Sequence, residues 1–323
     1  MGQVDIITIG ECLLELSTNE TLSKTDNFEK YFGGDALCAS VCASRLGSSV
    51  GFITKIGNDF FEKFLYKKLN DEKLDTLYVK TVNATNGVYF VGKDELYKNE
   101  VQFYRKKSAA SYLSIEDINE EYFKEASVFY ATGTTQALSF NAREAVSEGF
   151  LYAKKNSLLC AYDPNYSRKL WSEAEAKEAF DEIINDVDIL FLNIDKDVKA
   201  IYQIDSINSV IKYFWDQGVK TVVIKSLIDS GYFIGYNNEV VFIKFFATTK
   251  DAFGAGDAFN GAFLHAVNKG FSYYEAGKFA SIVAGLQAQK SGAIKSIPLK
   301  EEVCEYYGCW FKKKCAYFRI LWG

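Results

Sequence analysis

Apolar residues follow two rhythms along this chain. Short, mainly apolar runs at residues 4–9, 50–56, 128–131, 158–162, 189–192 and 222–224 have the length and composition of buried strands. From residue 128 onward they alternate with amphipathic stretches at 142–155, 173–184 and 207–215, which predict helices. Further helical patterns run from Gly33-Gly34 to Leu46, where Gly47 suits a helix end, over 60–69, and over 257–268 and 273–289. Residues 232–243 read as a hairpin turned at Asn237-Asn238. Strand alternating with helix predicts an α/β fold with a doubly wound parallel sheet.

Residues 76–108 differ in texture. Tyr78, Val79, Val82, Val88, Tyr89, Phe90, Val91, Val101, Phe103 and Tyr104 are β-formers in short runs, split by an Asn-Gly pair and charged turns. No helical pattern intervenes, so residues 12–32 and 76–108 are expected to form a small separate sheet. Residues 1–11, 33–75 and 109–310 make up the α/β body. Residues 311–323, with Lys312-Lys313-Lys314 followed by aromatic and aliphatic residues, continue neither pattern and are left unassigned.

Composition narrows the function classes. The chain has 323 residues, 48% of them hydrophobic and including 26 Phe and 21 Tyr, which excludes disorder as its main state. A net charge of −5 lacks the positive field of a non-specific nucleic-acid binder. No run of about 18 uncharged apolar residues predicts a membrane span. The first eleven residues lack the basic start and unbroken apolar middle of a signal peptide. A cytoplasmic protein without nucleic-acid or membrane partners is expected. The 7 Cys and the single His265 show no metal-cage spacing, so no residue is expected to ligate a metal directly.

The sharpest chemical signal is Asp251-Ala252-Phe253-Gly254-Ala255-Gly256-Asp257, leading into a helix. Gly254 and Gly256 permit a tight turn that exposes backbone N–H groups. The positive end of the following helix would stabilise a transferring phosphoryl group there. Asp257, in the first turn, could take the proton of an attacking hydroxyl or merely cap the helix. No P-loop is present, and Gly254-Ala255-Gly256 is misplaced for a dinucleotide fingerprint. A second signal, Gly33-Gly34-Asp35 before a helix, would let a polyhydroxylated ligand approach the backbone, or make a plain tight turn.

The two motifs together, in this order and about 220 residues apart, resemble the N- and C-terminal signatures of the ribokinase-like (PfkB) carbohydrate kinases. The resemblance covers residues 4 to about 307. Gly10-Glu11, the segment from Phe103 to Ala109, and Asp163-Pro164-Asn165-Tyr166 with Leu170-Trp171 are most similar to the 2-keto-3-deoxygluconate kinases. The resemblance implies a β-sheet lid over the doubly wound domain, a homodimer paired through that lid, and ATP- and Mg²⁺-dependent phosphorylation of a sugar or sugar acid. It further implies that Asp257 is the base, that the Ala255 and Gly256 amides hold the phosphoryl group, and that Gly254 belongs to the same catalytic, nucleotide-binding turn. Gly33, Gly34, Asp35, Cys38, Tyr89, Phe103, Tyr104, Arg105, Asn165 and Ser167 would face the substrate, with Arg105 pairing a substrate carboxylate. Asn193, Lys225, Ser226, Ser281 and Gly292 would lie on the nucleotide side, and a monovalent cation is a candidate near Asp251.

Four positions depart from the family pattern. Cys38 replaces the usual Asn, and Ser167 replaces an Arg, with Arg168 adjacent. Lys196 stands where a Glu usually serves the hydrated Mg²⁺, leaving Asp195 or Asp197 to substitute with a backbone shift. Leu227 follows Lys225-Ser226 where a Gly is usual. A fructokinase-like neutral-sugar kinase and a kinase-like binding or scaffold protein with little turnover therefore remain open beside the sugar-acid kinase. A nucleoside kinase of the same fold would need an aromatic-lined base pocket that the sequence does not identify.

Overall fold

The computed structural model describes residues 4–247 and 250–311. Its strands are β1 (Ile6–Ile9), β2 (Leu13–Ser17), β3 (Glu29–Gly33), β4 (Val50–Gly57), β5 (Val79–Val82), β6 (Val88–Lys93), β7 (Asn99–Tyr104), β8 (Val128–Thr132), β9 (Leu159–Asp163), β10 (Ile189–Asn193), β11 (Thr221–Ser226), β12 (Gly231–Tyr236) and β13 (Glu239–Lys244). The helices are α1 (Asp35–Leu46), α2 (Glu62–Asp71), α3 (Glu120–Phe123), α4 (Gly133–Gln136), α5 (Phe140–Lys155), α6 (Glu173–Asp181), α7 (Ile207–Asp216), α8 (Ala255–Asn268), α9 (Tyr273–Ala288) and α10 (Lys300–Phe311).

Nine strands form one sheet in the order β13-β12-β11-β10-β9-β8-β1-β4-β5. The seven from β11 to β5 run parallel, and the β12–β13 hairpin closes one edge antiparallel. The hairpin turns at Asn237 and Asn238 with φ of 49° and 61°, the left-handed pair that matches strand twist and that Asn tolerates. Inner strands are buried on both faces, which explains their mainly apolar runs. Ile6, Tyr130, Phe191 and Val223 face a core shared with α1, α8 and α9. Their neighbours Ile7, Phe129, Leu190 and Val222 face a second core under α5 and α7. This period-2 division gives a helix–sheet–helix sandwich.

The remaining strands form a four-stranded sheet in the order β3-β2-β6-β7. One segment departs from expectation. Residues 79–82, placed with the small sheet by their texture, form β5 and pair in parallel with β4 at the edge of the large one. The cause is topological: β4, α2 and β5 follow one another as a strand–helix–strand unit, whose second strand returns beside the first. The tail expectation for residues 312–323 lies outside the described residues. Among the described residues no helix is long and apolar enough to cross a membrane.

Candidate active site

The carboxyl ends of the parallel strands point toward the inner face of the small sheet, the place where open α/β sheets bind ligands. A cleft of about 380 Å³ lies between them. Its floor is built from strand ends: Asp163 closes β9, Asn193 closes β10 and Lys225 lies near the end of β11. Its roof is the inward row of the small sheet, where Leu13, Tyr89 and Phe103 line the space. Tyr89 stacks on Phe103 at 5.2 Å, and its hydroxyl donates to Glu15.

Asp257 sits in the first turn of α8, beside Gly254, whose φ of 81° requires the left-handed region. The Ala255 N–H closes a turn onto the Ala252 carbonyl at 3.1 Å. Of the two amides expected to face a phosphoryl group, Ala255 is thus engaged. The next two amides, of Gly256 and Asp257, have no backbone partner among the described residues. Burial, and next the negative charge of Asp35, push the Asp257 carboxyl well above the usual range. Lys225 pulls the other way, Asp163 adds to the rise and Lys196 opposes it. A carboxylate raised in this way has the proton affinity a general base needs.

A chain of polar contacts runs along the floor. Lys196 Nζ donates to Asn165 Oδ1 at 2.6 Å, and Asn165 Nδ2 donates to Asp35 Oδ2 at 3.0 Å. The ammonium thus fixes the amide so that its NH₂ group faces Asp35. Lys225 pairs with Asp163 at 2.7 Å, and Asn260 donates to the same oxygen at 2.7 Å. Asp197 lies in a π-helical segment, Ile194–Tyr202, and lines the cleft. It accepts N–H bonds from Asn193 at 2.7 Å and Tyr166 at 2.8 Å. Burial, then the nearby Asp163, raise it to about 6. Asp195 instead pairs with Lys199 at 2.7 Å.

Arg105 reaches into the cleft from just beyond β7. It stacks on Phe103 at 4.3 Å, and its Nη1 lies 2.5 Å from Glu11 Oε2. Arg105 Nε and Glu11 Oε1 are buried without partners among the described residues. Burial raises Glu11 to about 7 against the pull of Arg105, so the pair keeps positive character near neutrality.

The cleft gathers Gly34, Asp35, Cys38, Tyr89, Phe103, Arg105, Asn165, Ser167, Asn193, Lys225, Gly254, Gly256 and Asp257. A smaller adjoining chamber of about 180 Å³ takes in Asn193, Lys225, Ala255, Gly256, Ser281 and Leu227. Four other expected residues lie elsewhere. Gly33 sits under Tyr89, where any Cβ would strike the phenol oxygen. Tyr104 alternates to the outer face of the small sheet, packs edge-on against Phe90 and is 64% exposed. Ser226 follows the inward Lys225 and turns away to donate to Asp229 at 2.6 Å. Gly292 makes a turn with φ of 97°, and its carbonyl accepts from Ser296; the neighbouring Ala293 lines the cleft. Arg168 is exposed and does not line the cleft, whereas Ser167, Lys196, Arg105 and Lys225 do.

Asp163, Thr134 and Phe253 also line the cleft and were not among the expected site residues. The signal for Asp163 was its place at the end of a parallel strand. Thr134 carried no signal, because it belongs to a four-residue helix without hydrophobic period.

The site can accept a nucleotide. Gly256, at the start of α8, lines both the cleft and a lysine-bearing chamber, and that chamber is walled by Tyr232, Phe245 and small residues of α9. Among the described residues no group of three or more His, Cys, Asp or Glu could hold a metal ion. Mg²⁺ would fit here as it does where substrate phosphates and water supply most ligands, beside Asp197 and Asn193.

Known proteins bear on this arrangement. A 5-dehydro-2-deoxygluconokinase of Listeria monocytogenes is 28% identical over 307 residues, 93% of this chain and 94% of its own. A sugar kinase of Pyrococcus horikoshii, solved with ATP, is 30% identical with a TM-score of 0.77, covering 93% of this chain and 97% of its own. An E. coli protein assigned as a ribokinase II, solved with ATP and Mg²⁺, shares the fold with a TM-score of 0.86 at 23% identity, over 95% of this chain and 99% of its own. Residues 3–300 match the pfkB family of carbohydrate kinases. That match spans nearly the whole chain and takes in both glycine motifs that line the cleft, so the chain belongs to the pfkB family of carbohydrate kinases.

Proposed function

We propose that this protein transfers the γ-phosphoryl group of ATP to a hydroxyl of a keto-deoxy sugar acid. The observation that carries the reading is the joint placement of Asp257 and Arg105 in one cleft, with Arg105 Nε left without a partner among the described residues. The name of the Listeria relative supports the substrate class. The Asp257 carboxylate takes the hydroxyl proton as the substrate oxygen attacks the γ-phosphorus. The bond to the β–γ bridging oxygen breaks, and ADP leaves with that electron pair. The amides of Gly256 and Asp257 and the α8 dipole meet the charge on the transferring group. Mg²⁺, when bound with ATP, supplies further neutralisation of phosphate charge. Lys225 and Ser281 border the nucleotide chamber, while Asp35, Asn165 and Lys196 form the hydroxyl-binding floor. The Ala255 N–H is spent on the Ala252 carbonyl, closing the loop turn.

The same reading places the protein in the cytoplasm, where ATP is made and where its free Cys12, Cys38, Cys42 and Cys160 stay reduced. It makes the protein a homodimer through the outer face of the small sheet. That face carries an apolar hollow of about 630 Å³ lined by Leu14, Leu16, Phe28, Phe90 and Tyr104.

A coupled ADP-release screen over keto-sugar acids, hexoses, pentoses and nucleosides tests the function. Turnover is expected with 2-keto-3-deoxygluconate or 5-dehydro-2-deoxygluconate. Asp257→Asn should lower kcat by about 10²–10⁴-fold while the fold and nucleotide binding persist. Turnover on no class would favour the binding-protein alternative. An Asp257→Asn enzyme within threefold of wild type would remove Asp257 from its role.

A further inference from the structure

The Asp251 carboxylate begins the loop that ends at Asp257, and its side chain is only 3% exposed. Its surroundings test the expectation of a bound monovalent cation. Oδ1 accepts from Asn99 Nδ2 at 2.7 Å and from the Phe253 N–H at 3.0 Å. Oδ2 accepts from Lys93 Nζ at 2.7 Å, and that ammonium also donates to Asn99 Oδ1 at 2.5 Å. Both oxygens are therefore taken, and a positive charge already sits on the carboxylate. A metal ion does not fit beside it without displacing Lys93.

Lys93 and Asn99 come from the facing ends of β6 and β7, and they are register partners across that pair. The cation on the phosphoryl-side loop is thus supplied by the small sheet. The loop is pinned from the other side as well: the N–H groups of Lys250 and Asp251 both donate to the Ala288 carbonyl at 2.9 Å. Two residues on, Phe253 packs with Tyr89 at 6.2 Å, a second contact between loop and small sheet. Burial alone would raise the Asp251 carboxyl, but the bonds from Lys93 and Asn99 hold it below its usual range, so it stays charged.

We infer that Lys93 is a built-in cation for Asp251: its ammonium occupies the place a monovalent ion would take, fixes the Gly254–Asp257 loop, and makes that loop's order depend on the small sheet being seated. Lys93 is a positioning residue and touches no reacting atom. The inference rests on the kinase reading for its effect on turnover, but not for its effect on loop order.

The test compares wild type, Lys93→Met and Lys93→Arg in choline chloride, KCl and NH₄Cl at equal ionic strength. Thermal midpoint, affinity for Mg²⁺–ATP by calorimetry, and ADP release on the best substrate are measured for each. Wild type and Lys93→Arg should show the same midpoint and affinity in all three salts. Lys93→Met in choline should lose affinity by about tenfold or more, the scale of one buried charge-assisted contact. KCl or NH₄Cl should restore much of that loss, because the small ion can sit on the vacated carboxylate. A wild type that requires K⁺, a Lys93→Met protein equal to wild type in choline, or a loss that neither cation restores would each overturn the inference. If no substrate turns over but the salt pattern in midpoint and ATP affinity holds, the built-in cation stands and only the kinase reading falls.

Discussion

Arg105 and Glu11 show how two side chains set one another's chemistry. Arg105 alone reads as a carboxylate receptor, yet Glu11 already accepts from it at 2.5 Å. Because burial raises Glu11 to about 7, this competitor is neutral below that pH and charged above it. The sugar acid's own carboxylate stays ionised throughout the range. The KM for the sugar acid should therefore be lowest below pH 7 and rise as pH increases through 7, by up to about tenfold. Glu11→Gln should flatten that rise, and parallel profiles in the two enzymes would refute the competition. Side-chain direction explains which expected residues reached the cleft. Tyr89, Phe103 and Lys225 point inward; Tyr104 and Ser226 sit one position on in a strand and point away. Motif residues were readable one by one, but strand parity was not, since both faces of the small sheet carry aromatic residues. Lys196 read as a misplaced cation; its bond to Asn165 emerges only once β9 and the π-helical turn after β10 are side by side.

Helix α8 carries opposite demands at its two ends. At its start the glycine turn and Asp257 line the cleft, where the proposed chemistry takes place. In its last turn His265 is buried, and its Nδ1 meets Ser48 Oγ at 2.8 Å. Burial, with a further push from Lys269 and Lys300 against the pull of Asp5, lowers His265 to about 3. It is thus neutral in the folded protein, and protonation near its ordinary value favours the unfolded chain. The stability this gives is complete above pH 6.5 and is lost as pH falls toward 3, by up to about 1.4 kcal/mol per pH unit. In urea unfolding, the advantage of wild type over His265→Gln should shrink by about 2 kcal/mol between pH 7 and pH 5. A difference that does not change with pH would contradict a buried neutral imidazole. At this scale the sequence was most legible where period was long. The helical patterns at 33–46, 142–155, 257–268 and 273–289 correspond to α1, α5, α8 and α9 within a few residues. The exception, β5, has only four residues, and its partner was decided by connectivity rather than by its own composition.

The whole molecule places a charged, polar cleft between two sheets and leaves an apolar face on the far side of the smaller one. Phe28 and Tyr104 are exposed there at 37% and 64%, an arrangement that a second copy of the chain would cover. Phe28→Asp combined with Tyr104→Asp should convert a dimer into a monomer in sedimentation, and a wild type that sediments as a monomer would reject the pairing. The order of the two signatures was legible from the chain and with it the family; the sugar was not, because the cleft draws Asp35, Arg105, Asn165 and Lys196 from four separate segments. In the proposed reading, Arg105 is the residue that selects the substrate class. The most direct test is kcat/KM for 2-keto-3-deoxygluconate, 5-dehydro-2-deoxygluconate and fructose, in wild type and Arg105→Ala. The account predicts that wild type prefers one of the two acids over fructose and that Arg105→Ala erodes that preference about 10–100-fold, the worth of one charge-assisted contact. A wild type that prefers fructose, or a mutation that lowers acids and fructose equally, would contradict it.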